Sequence, residues 1–524
     1  MQKAPPVFKH RKAGYGRGTT TSVKTSDRQG ADVLLDERVR PVAWQNPAPA
    51  DCYDLVVLGA GTAGLVAAAG AAGLGARVAL VERDRMGGDC LVTGCVPSKA
   101  VLRSARAAAD ARRAAALGVR VGAVEPDFAA VMERMRRLRA GLAVHDSAER
   151  FRSLGVDVFF GEGRFVSRDA IDVAGATLRF RRAIVATGAR PALPSVPGLA
   201  DARPATSDTV FDLERLPARL VVIGAGPIGC ELGQAFARLG SEVTLLGRAA
   251  AVLPREEPDA SRIVATALAQ DGVRLRTGCV PVRVDVDRAS GDRVVHWSAP
   301  GEEGSTACDA ILVATGRTPN LERLELDRAG VEVAPAGLVV DERLRTTNPR
   351  VWASGDVCLP DLFTHAADAS SRLVLRNALF AGRRRYRDLV VPHCTFTDPE
   401  VARVGIDPAR AATTGVALDT VEVPMNSVDR AVLDEAAEGF LRIHLRRGSD
   451  RILGATAVGS HAGEILAGVV VAMESGIGLG RLSSVILPYP TLSDAIRKAG
   501  DAWQRTRLTP VTRRLLSAWI RLRR

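Results

Sequence analysis

The sequence predicts an α/β fold that contains two Rossmann-like dinucleotide-binding domains. The main observation is a glycine-rich turn, G-x-G-x-x-G, that occurs twice, at residues 59–64 and 224–229. Each turn follows an apolar, strand-like run and opens a helix-like stretch, and this context makes the short pattern specific. The composition agrees, because alanine, glycine and valine dominate and aromatic residues reach only 4%. At 524 residues, the chain is long enough for about two to four domains.

Each glycine of the two turns has its own role. The first permits the tight turn, the second lets the backbone approach a pyrophosphate, and the third lets the helix pack against the strand. The N-terminus of the following helix then directs N–H groups at the anion. The six glycines are Gly59, Gly61 and Gly64 in the first turn and Gly224, Gly226 and Gly229 in the second.

The residue that ends the second strand of each unit distinguishes the two nucleotides. A carboxylate there accepts a hydrogen bond from a ribose hydroxyl, whereas a cation there accommodates a 2′-phosphate. The first unit has Glu82 at this position, which suits the adenosine ribose of FAD. The second unit has Arg248, which suits NADPH. The alternative is that Arg248 is a surface charge and that NADH serves as well.

Three further strand ends belong to the same two nucleotide-binding units. Two apolar strands end in the same Ala-Thr-Gly turn, and a third strand ends in Gly-Asp. The carboxylate of the third strand lies where it can accept hydrogen bonds from the ribitol hydroxyls of a flavin. The residues concerned are Thr187 and Gly188, Gly316, and Gly355 and Asp356.

Cys90 and Cys95 are the only two of the eight cysteines that lie close together in the sequence. Gly94 lets the chain bend between them, so the two sulfurs can form a small disulfide, and a helix that begins at Cys95 would favour its thiolate. A C-x4-C pair alone is equally typical of two unrelated buried thiols. Because this pair directly follows the first dinucleotide unit, however, it can lie against a flavin ring. We therefore expect a redox-active disulfide.

These motifs, in this order, resemble those of the pyridine nucleotide–disulfide oxidoreductases, the family of glutathione reductase, dihydrolipoamide dehydrogenase and mercuric reductase. The resemblance extends from about residue 54 to residue 500. Besides the glycine turns, the matching segments are residues 87–90 with 95–99, 186–188, 230–231, 314–320, 355–356 and 396–400. The resemblance implies bound FAD, a C-terminal α+β dimerisation domain, and a homodimer with shared active sites.

The resemblance also implies a path for the electrons. NADPH reduces FAD on one face of the flavin, and the flavin reduces the disulfide on the other face. Cys95 is then the sulfur nearest the flavin, and Cys90 is the one that meets the substrate. Lys99 and Glu231 match the family's ion pair beside the flavin, where a cation stabilises the reduced ring.

Two further residues match positions of the family's flavin site. Gly88 belongs to the Gly-Gly-Asp-Cys segment that contains the first cysteine of the pair. His365 matches a histidine that dihydrolipoamide dehydrogenase-like proteins carry near the flavin carbonyl. The alternative for His365 is an ordinary residue at the start of a helix.

The chain departs from the disulfide reductases near its C-terminus. There, the partner subunit of these enzymes supplies a His-Pro-Thr-x-x-Glu segment whose His–Glu pair acts as acid and base for the substrate-facing thiol. This chain has Tyr489 at the histidine position, and Asp494 closes the segment. A phenol with an ordinary pKa of about 10 stays protonated at neutral pH, whereas imidazole titrates near about 6.5. Tyr489 and Asp494 therefore act either as acid and base or only as contacts to the substrate.

The electron acceptor is the least determined part of the prediction. Mercuric reductase-like proteins also carry tyrosine at this place, and soft metal ions prefer thiolate ligands, so reduced Cys90 and Cys95 would bind a metal ion as substrate. The sequence shows no cysteine after Cys394 and no Cys-x-x-Cys segment, both of which occur in many mercuric reductases. We expect a metal ion as acceptor. The alternatives are a disulfide or quinone-type acceptor, and a flavoprotein redox sensor or membrane-associated electron donor.

The formal net charge is +12, and much of the excess lies at the two ends of the chain. The first 26 residues contain no acid, and residues 513–524 form a short basic amphipathic pattern. This tail is either a solvated helix or a peripheral membrane contact. No nucleic-acid-binding pattern accompanies the charge, and no apolar run reaches the ~18 residues of a membrane span. We expect a cytoplasmic protein.

The motifs divide the chain into five parts. We expect an N-terminal extension over residues 1–50, an FAD-binding domain over 51–203 and 341–391, an inserted NADPH-binding domain over 204–340, an interface domain over 392–500 and a basic tail over 501–524. Because Tyr489 lies in the segment that completes the partner's site, we expect a two-fold homodimer.

Overall fold

A computed structural model describes residues 25–287 and 291–524 of the protein, with side chains described from residue 30 onward. Residues 1–24 of the predicted N-terminal extension lie outside the described residues. The described chain forms two sheets of the dinucleotide-binding type and a C-terminal antiparallel sheet. Short 3-10 helices occur at Ala114–Leu117, Ala143–Asp146, Val210–Asp212, Tyr386–Asp388 and Met425–Ser427.

The first nucleotide-binding unit begins with a largely parallel sheet. Its helices are α1 (Thr25–Val39), α2 (Thr62–Gly73), α3 (Gly88–Val92), α4 (Cys95–Arg113), α5 (Phe128–Leu142) and α6 (Ala148–Ser153), and its strands are β1 (Tyr53–Leu58), β2 (Val78–Glu82), β3 (Val156–Phe160), β4 (Gly163–Ser167), β5 (Ala170–Val173), β6 (Ala176–Val185) and β7 (Ala189–Pro191). β1 pairs in parallel with β2 and β6, and β3 pairs in parallel with β2. Buried apolar side chains cover both faces of this sheet, as expected for parallel strands.

The second nucleotide-binding unit repeats this arrangement. Its helices are α7 (Pro227–Leu239) and α8 (Pro258–Gln270), and its strands are β8 (Arg219–Ile223), β9 (Glu242–Gly247), β10 (Arg274–Thr277), β11 (Val280–Val286), β12 (Arg293–Ala299), β13 (Glu302–Cys308) and β14 (Ala310–Val313). The parallel sheet has the order β10-β9-β8-β14, and β11, β12 and β13 form a separate antiparallel sheet. Apolar clusters again pack on both faces of the parallel sheet.

The chain then returns to the first sheet. The elements of this return are β15 (Arg317–Pro319), α9 (Leu326–Ala329), β16 (Val333–Ala334), β17 (Gly337–Leu338), β18 (Val351–Ala353) and α10 (Thr364–Phe380). β18 pairs in parallel with β6 and completes a seven-stranded sheet, so the second unit is inserted into the first. β15 pairs with β7, so the two chain crossings between the units lie side by side.

The C-terminal part is an antiparallel sheet covered by helices. Its strands are β19 (Pro392–Thr395), β20 (Glu400–Gly405), β21 (Leu418–Pro424), β22 (Phe440–Arg446) and β23 (Ile452–Gly459), and its helices are α11 (Pro408–Thr414), α12 (Asp429–Leu433), α13 (Ala462–Glu474), α14 (Leu479–Leu482), α15 (Asp494–Thr506) and α16 (Pro510–Leu522). The strand order is β19-β20-β23-β22-β21. Apolar side chains of α13 and α15 pack into one core with the sheet. The predicted class, two Rossmann-like units followed by an α+β unit, is confirmed.

The two ends of the described chain differ in how they pack. In α1, Leu35 and Val39 are buried against the first unit, and Arg139 donates a hydrogen bond to Asp32 at 3.0 Å. A packed helix therefore occupies part of the segment that was predicted as an extension. At the other end, α15 crosses the predicted start of the tail at residue 501, and α16 has no buried residue. No helix among the described residues is long and apolar enough to cross a membrane.

A buried polar cluster joins the second unit to the C-terminal sheet. Glu257, at the N-terminus of α8, accepts a hydrogen bond from Arg442 of β22 at 2.5 Å and lies 3.3 Å from Nε2 of His444. The His444 side chain is fully buried. Burial by itself would raise the pKa of Glu257, but the hydrogen bonds from His444 and Arg442 outweigh it and lower the pKa to about 2. The charged carboxylate therefore stabilises this contact between the two units.

Glu257→Gln should lower the free energy of unfolding at neutral pH by roughly 1–3 kcal/mol, because the partly buried Arg442 loses a charge partner. The pKa of Glu257 is lower in the folded protein than in the unfolded chain. Its contribution is therefore fully present above about pH 4.3 and is lost as the pH falls toward about 2. Urea unfolding at several pH values measures the difference, which should shrink in acid.

Glu242→Gln is the matched control, because Glu242 pairs with Arg274 at 3.2 Å while about two thirds of both side chains is exposed. Exposed pairs contribute little to stability, so this variant should unfold like the parent protein. Equal unfolding of the two variants at neutral pH would contradict the stabilising role of Glu257.

Candidate active site

The first glycine turn is held by close backbone contacts. Gly59 has φ +100°, and a Cβ atom there would lie 2.4 Å from the carbonyl oxygen of Ala186. A Cβ at Gly64 would lie 1.8 Å from the carbonyl oxygen of Gly59. Gly61 precedes α2, whose N-terminus has no side-chain cap and no acid in its first turn. The free N–H groups of α2 therefore face an open turn, which fits an anionic pyrophosphate.

The second turn has the same geometry. Gly224 has φ +120°, and a Cβ there would lie 2.3 Å from the carbonyl oxygen of Ala314, while a Cβ at Gly229 would lie 1.9 Å from the carbonyl oxygen of Gly224. At Gly226, by contrast, a Cβ would meet no described atom within 4 Å. The helix that follows, α7, also has no side-chain cap and no acid in its first turn. Both turns thus fit a dinucleotide.

Glu82 lies at the end of β2 and holds the first turn directly. Its carboxylate accepts hydrogen bonds from the backbone N–H groups of Ala60 at 2.7 Å and Asp84 at 2.8 Å. Burial raises the pKa of Glu82, although the two N–H donors act in the opposite direction. The sequence placed Glu82 at this strand end but did not indicate that it also anchors the turn.

Arg248 follows β9 directly and is exposed. It has no hydrogen bond or ion pair with any residue in the part of the chain that the structure describes. The backbone N–H of Gly224 bonds to the carbonyl of Leu246, two residues before Arg248, so this cation lies close to the second turn. Its guanidinium is free to bind a phosphate.

The two cysteines lie at the meeting point of α3 and α4. Cys90 is in α3, and Cys95 begins α4. Neither is in a disulfide, and they lie close enough together for each to be the largest influence on the pKa of the other. A Cβ at Gly94 would lie 2.7 Å from the carbonyl oxygen of Asp89, so only glycine fits this bend. The structure therefore brings the predicted pair together.

The surroundings of the pair favour the thiolate at Cys95. Its hydrogen bond with Cys90, together with Thr364 and Lys99, lowers the pKa of Cys95 to about 5, against the opposing effect of burial. The same hydrogen bond, together with burial, raises the pKa of Cys90. The Thr364 hydroxyl, in the first turn of α10, lies 3.4 Å from the Cys95 sulfur. The sequence indicated Thr364 as the start of a helix beside the flavin site but not its contact with Cys95, because the two residues are far apart in the chain.

An ion pair lies beside the thiolate. Nζ of Lys99, in the second turn of α4, is 2.8 Å from the carboxylate of Glu231, which belongs to α7. Glu231 also accepts a hydrogen bond from the backbone N–H of Phe396 at 2.8 Å. Burial would lower the pKa of Lys99, but the charge and hydrogen bond of Glu231 outweigh it, so the pKa is raised. Lys99 is therefore a cation next to Cys95.

Asp356 lies just after β18, next to Gly355, where the sequence predicted it. It is held by Arg317, a contact that the sequence did not indicate. Nε of Arg317 lies 3.5 Å from Asp356, and the same guanidinium donates to Asp89, one residue before Cys90. Burial raises the pKa of Asp356 and Arg317 opposes this shift. Arg317 thus connects the strand end to the cysteine segment.

The remaining predicted positions lie around the two turns. Thr187 Oγ1 donates to the carbonyl of Asn320 at 2.7 Å. Gly188 and Gly316 have φ +66° and +133°, and neither has a described atom within 4 Å of its Cβ position. A Cβ at Gly88 would lie 2.6 Å from Cα of Gly61, so Gly88 closes against the first turn.

His365 is held at the start of α10 by two contacts. Its Nε2 lies 2.5 Å from the carbonyl oxygen of Pro392, and its ring stacks on Phe363 with centroids 5.5 Å apart. These contacts tie the helix to the C-terminal unit. They fix the position of His365 at the helix start, and its place at the flavin stays a prediction.

Tyr489 and Asp494 lie apart from the cysteines within one chain. Tyr489 is 73% exposed, and its hydroxyl donates to Asp429 at 2.8 Å, which raises the pKa of the phenol. Asp494 begins α15 and accepts a hydrogen bond from Arg497 at 2.8 Å. Neither side chain has a described contact with Cys90 or Cys95.

Comparison with known proteins gives the class of this site. Residues 53–370 match the family model described as pyridine nucleotide-disulphide oxidoreductase, and residues 391–500 match the dimerisation domain of the same family. The chain is a member of the pyridine nucleotide–disulfide oxidoreductases. The family is FAD-dependent and takes its electrons from NAD(P)H, so this is a flavin-dependent oxidoreductase with a dimerisation domain. The predicted family and enzyme class are confirmed.

Several members of known name are similar to the chain. A mercuric reductase of Bacillus cereus is 33% identical over 85% of this chain and 71% of its own length. A dihydrolipoyl dehydrogenase of Thermus scotoductus is 33% identical over 86% of this chain and 97% of its own. Among solved structures, LpdA from Mycobacterium tuberculosis has a TM-score of 0.78 at 28% identity, covering 85% of this chain and 98% of its own.

The Cu(II) complex of RclA, an HOCl-induced flavoprotein disulfide reductase from Escherichia coli, is also similar. It has a TM-score of 0.75 at 28% identity, covering 86% of this chain and 99% of its own. Enzymes with different names therefore resemble this chain to the same degree, and the likeness does not select one substrate.

Cys90→Ala should raise the pKa of Cys95 from about 5 toward the ordinary thiol value, because the largest cause of the low pKa is the hydrogen bond from Cys90. The pH dependence of alkylation at Cys95, followed by mass spectrometry of the reduced protein, measures the change. Cys52→Ala is the control, since Cys52 is exposed and makes no contact with the pair. If the pH midpoint of Cys95 alkylation is unchanged in Cys90→Ala, a group other than Cys90 lowers the pKa of Cys95.

Proposed function

We propose that the protein passes electrons from NADPH through FAD to the Cys90–Cys95 disulfide, and that the reduced cysteines then reduce a metal ion. The observation that carries this proposal is the pair of neighbouring thiols where α3 meets α4, with the Lys99–Glu231 ion pair beside Cys95, combined with a phenol at position 489. Bound FAD would supply two-electron transfer from the nicotinamide to the disulfide. The residues of the chain bind and orient the two nucleotides and set the charges of the groups next to the cysteines.

We infer that two sets of residues hold the nucleotides. The flavin set combines the open first turn with the acceptors at the strand ends, and consists of Gly59, Gly61, Gly64, Glu82, Gly88, Thr187, Gly188, Gly355, Asp356 and His365. The nicotinamide set combines the second turn with a free cation, and consists of Gly224, Gly226, Gly229, Arg248 and Gly316. An unpaired guanidinium at a strand end favours NADPH over NADH, because only NADPH carries a 2′-phosphate there.

Lys99 has two roles in this proposal. Its cation lies beside Cys95, so it stabilises the thiolate that remains when the disulfide is opened. Its bond to Glu231 keeps the ammonium in place and charged. The same cation would stabilise negative charge that develops on a reduced flavin next to it.

The reduced cysteine pair supplies both electrons needed to reduce the metal ion. Soft metal ions prefer thiolate ligands, so a cation such as Hg²⁺ binds between the two sulfurs of the reduced pair and displaces the Cys90 proton. Two electrons then pass from the sulfurs to the ion as the disulfide forms again, which reduces Hg²⁺ to the metal. The next electron pair from NADPH opens the disulfide for another cycle.

We propose that the site is completed by a second subunit. Tyr489 is exposed and lies apart from the cysteines of its own chain, within the dimerisation domain. A two-fold dimer would place Tyr489 and Asp494 of the partner subunit at the substrate side of Cys90. A phenol whose pKa is raised by Asp429 stays protonated at neutral pH, so it contacts the substrate as a hydrogen-bond donor and is a poor general base.

The relatives support the metal ion without selecting it. Several similar proteins are named mercuric reductases, and two similar structures are Cu(II) complexes of one flavoprotein disulfide reductase. The dihydrolipoyl dehydrogenases are equally similar and keep a disulfide acceptor as the second candidate. A redox sensor, the third alternative, differs in that it would be reduced once without turning over.

An acceptor screen tests the proposed function. The purified yellow protein should oxidise NADPH steadily with Hg²⁺ or Cu²⁺ and slowly with glutathione disulfide, lipoamide or a quinone. Cys90→Ser should abolish metal-dependent NADPH oxidation and leave reduction of the flavin by NADPH intact, because the thiol acts only after the flavin. Steady NADPH oxidation with a disulfide alone would contradict the metal proposal and favour a disulfide reductase. A single reduction of the protein without turnover would favour a redox sensor. Unchanged metal turnover in Cys90→Ser would exclude the thiol route.

Arg248→Glu should raise the KM for NADPH by at least about ten-fold and change the KM for NADH much less, because the new carboxylate repels only the 2′-phosphate. Steady-state kinetics with both nucleotides measure the two effects. Arg262→Glu gives the same charge change on a 71% exposed side chain of the same unit and should leave both values near those of the parent protein. Equal losses for NADPH and NADH in Arg248→Glu would contradict the phosphate contact.

A further inference from the structure

The last helix, α16, projects from the protein without packing on it. None of its residues is buried, and Leu515, Trp519 and Leu522 are 67%, 56% and 82% exposed. An isolated helix of this length is only marginally stable in water, because nucleation is costly and little burial offsets it. A contiguous exposed apolar surface on a soluble domain also marks an interaction site. The helix therefore needs a surface to bind.

The side chains of α16 divide into two faces, with Thr512 as a polar residue among the apolar positions. At 3.6 residues per turn, the apolar face covers roughly 200° of the circumference, and three arginines with Ser517 occupy the rest. The apolar residues are Val511, Leu515, Leu516, Ala518, Trp519, Ile520 and Leu522. Arg514 and Arg521 border the apolar face on one side, and Arg513 borders it on the other. Arginines at both borders can extend to a charged layer while the apolar face is buried.

The tail is also strongly and uniformly basic. No acidic residue follows Asp501, whereas seven arginines do: Arg505, Arg507, Arg513, Arg514, Arg521, Arg523 and Arg524. Among the described residues, none of these arginines forms an ion pair with a carboxylate. The guanidinium of Arg523 lies 4.9 Å from the ring centroid of Trp519, which places a cation over the largest apolar side chain. The charge of the tail is therefore available to an anionic partner.

We propose that α16 binds the surface of an anionic phospholipid membrane. The apolar face would enter the boundary between headgroups and acyl chains, with Trp519 at headgroup depth, and the bordering arginines would pair with lipid phosphates. A second copy of the same helix fits less well, because two tails without acids repel each other at these borders. This contact goes beyond the proposed function, and it is independent of which acceptor the cysteines reduce.

Vesicle binding by the full-length holoprotein tests the contact. At low ionic strength, the protein should partition at least about ten-fold more strongly onto phosphatidylcholine vesicles that contain about a quarter phosphatidylglycerol than onto phosphatidylcholine alone. Binding should weaken as salt is added, because the arginine–phosphate attraction is screened. The combined variant Arg513→Glu, Arg514→Glu and Arg521→Glu should lose at least about ten-fold of this binding.

A matched control changes the net charge equally at other places. Arg262→Glu, Arg274→Glu and Arg447→Glu alter three side chains that are 67–72% exposed and lie outside the tail, and this variant should bind vesicles within about two-fold of the parent protein. Trp519→Ala with Leu515→Ala should reduce binding several-fold without changing its salt dependence. Tryptophan fluorescence should shift to the blue on vesicle binding in the parent protein and not in Trp519→Phe.

Several outcomes would overturn the proposal. Equal binding to both kinds of vesicle, or to neither, would exclude an anionic lipid surface. Equal losses in the tail and control variants would show that the effect is one of net charge. A dimer that dissociates in the tail variant, while the parent protein binds no vesicle, would identify a second copy as the partner of α16. Binding of DNA without vesicle binding would identify a nucleic acid instead.

Discussion

The ion pair between Lys99 and Glu231 joins the three folded parts of the chain at one point. Lys99 belongs to a helix of the first unit, Glu231 to a helix of the second, and the carboxylate also receives the backbone N–H of Phe396 from the C-terminal unit. The Glu231 side chain is only 6% exposed, and a buried carboxylate without partners is strongly unfavourable. The three parts must therefore close together around it. Since Cys95 lies one helical turn before Lys99, this closure also sets the surroundings of the thiol.

The electrostatics of the cysteine pair follow from this arrangement. Burial opposes a thiolate at Cys95, and Glu231 opposes it as well, whereas the hydrogen bonds from Cys90 and Thr364 and the charge of Lys99 favour it. The favourable effects prevail, so the pKa of Cys95 is lowered while that of Cys90 is raised. Two chemically identical groups thus differ in acidity because their surroundings differ. The more acidic thiol is the one next to Lys99.

The sequence predicted those parts of the site that depend on local geometry. The glycine turns could be identified because a Cβ atom at Gly64 or Gly229 would meet the carbonyl oxygen of the glycine five residues earlier, a restraint that leaves a pattern within a few consecutive residues. Glu82 and Arg248 followed from the same pattern, since Glu82 ends β2 and Arg248 directly follows β9. The structure has these residues at the strand ends, and their binding roles stay predictions.

The contacts that depend on how the parts pack could not be predicted. Thr364 is 269 residues from Cys95, and Arg317 is 228 residues from Asp89, so no spacing in the sequence relates them. The partner of Tyr489 was missed for the same reason, because Asp429 comes from another helix of the C-terminal unit. The helix at residues 25–39 was missed because polar residues interrupt its apolar side, and its burial depends on a groove formed by later segments.

The pairing of β7 with β15 has a mechanical consequence. Both passages of the chain between the first and second nucleotide units run through this two-stranded ribbon. Because the two crossings are hydrogen-bonded to each other, they cannot separate without breaking this short ladder. The second unit is therefore attached to the first through a single ribbon, and the Lys99–Glu231 ion pair holds the two units at a second place. Two such attachments restrict how far one glycine turn can move from the other.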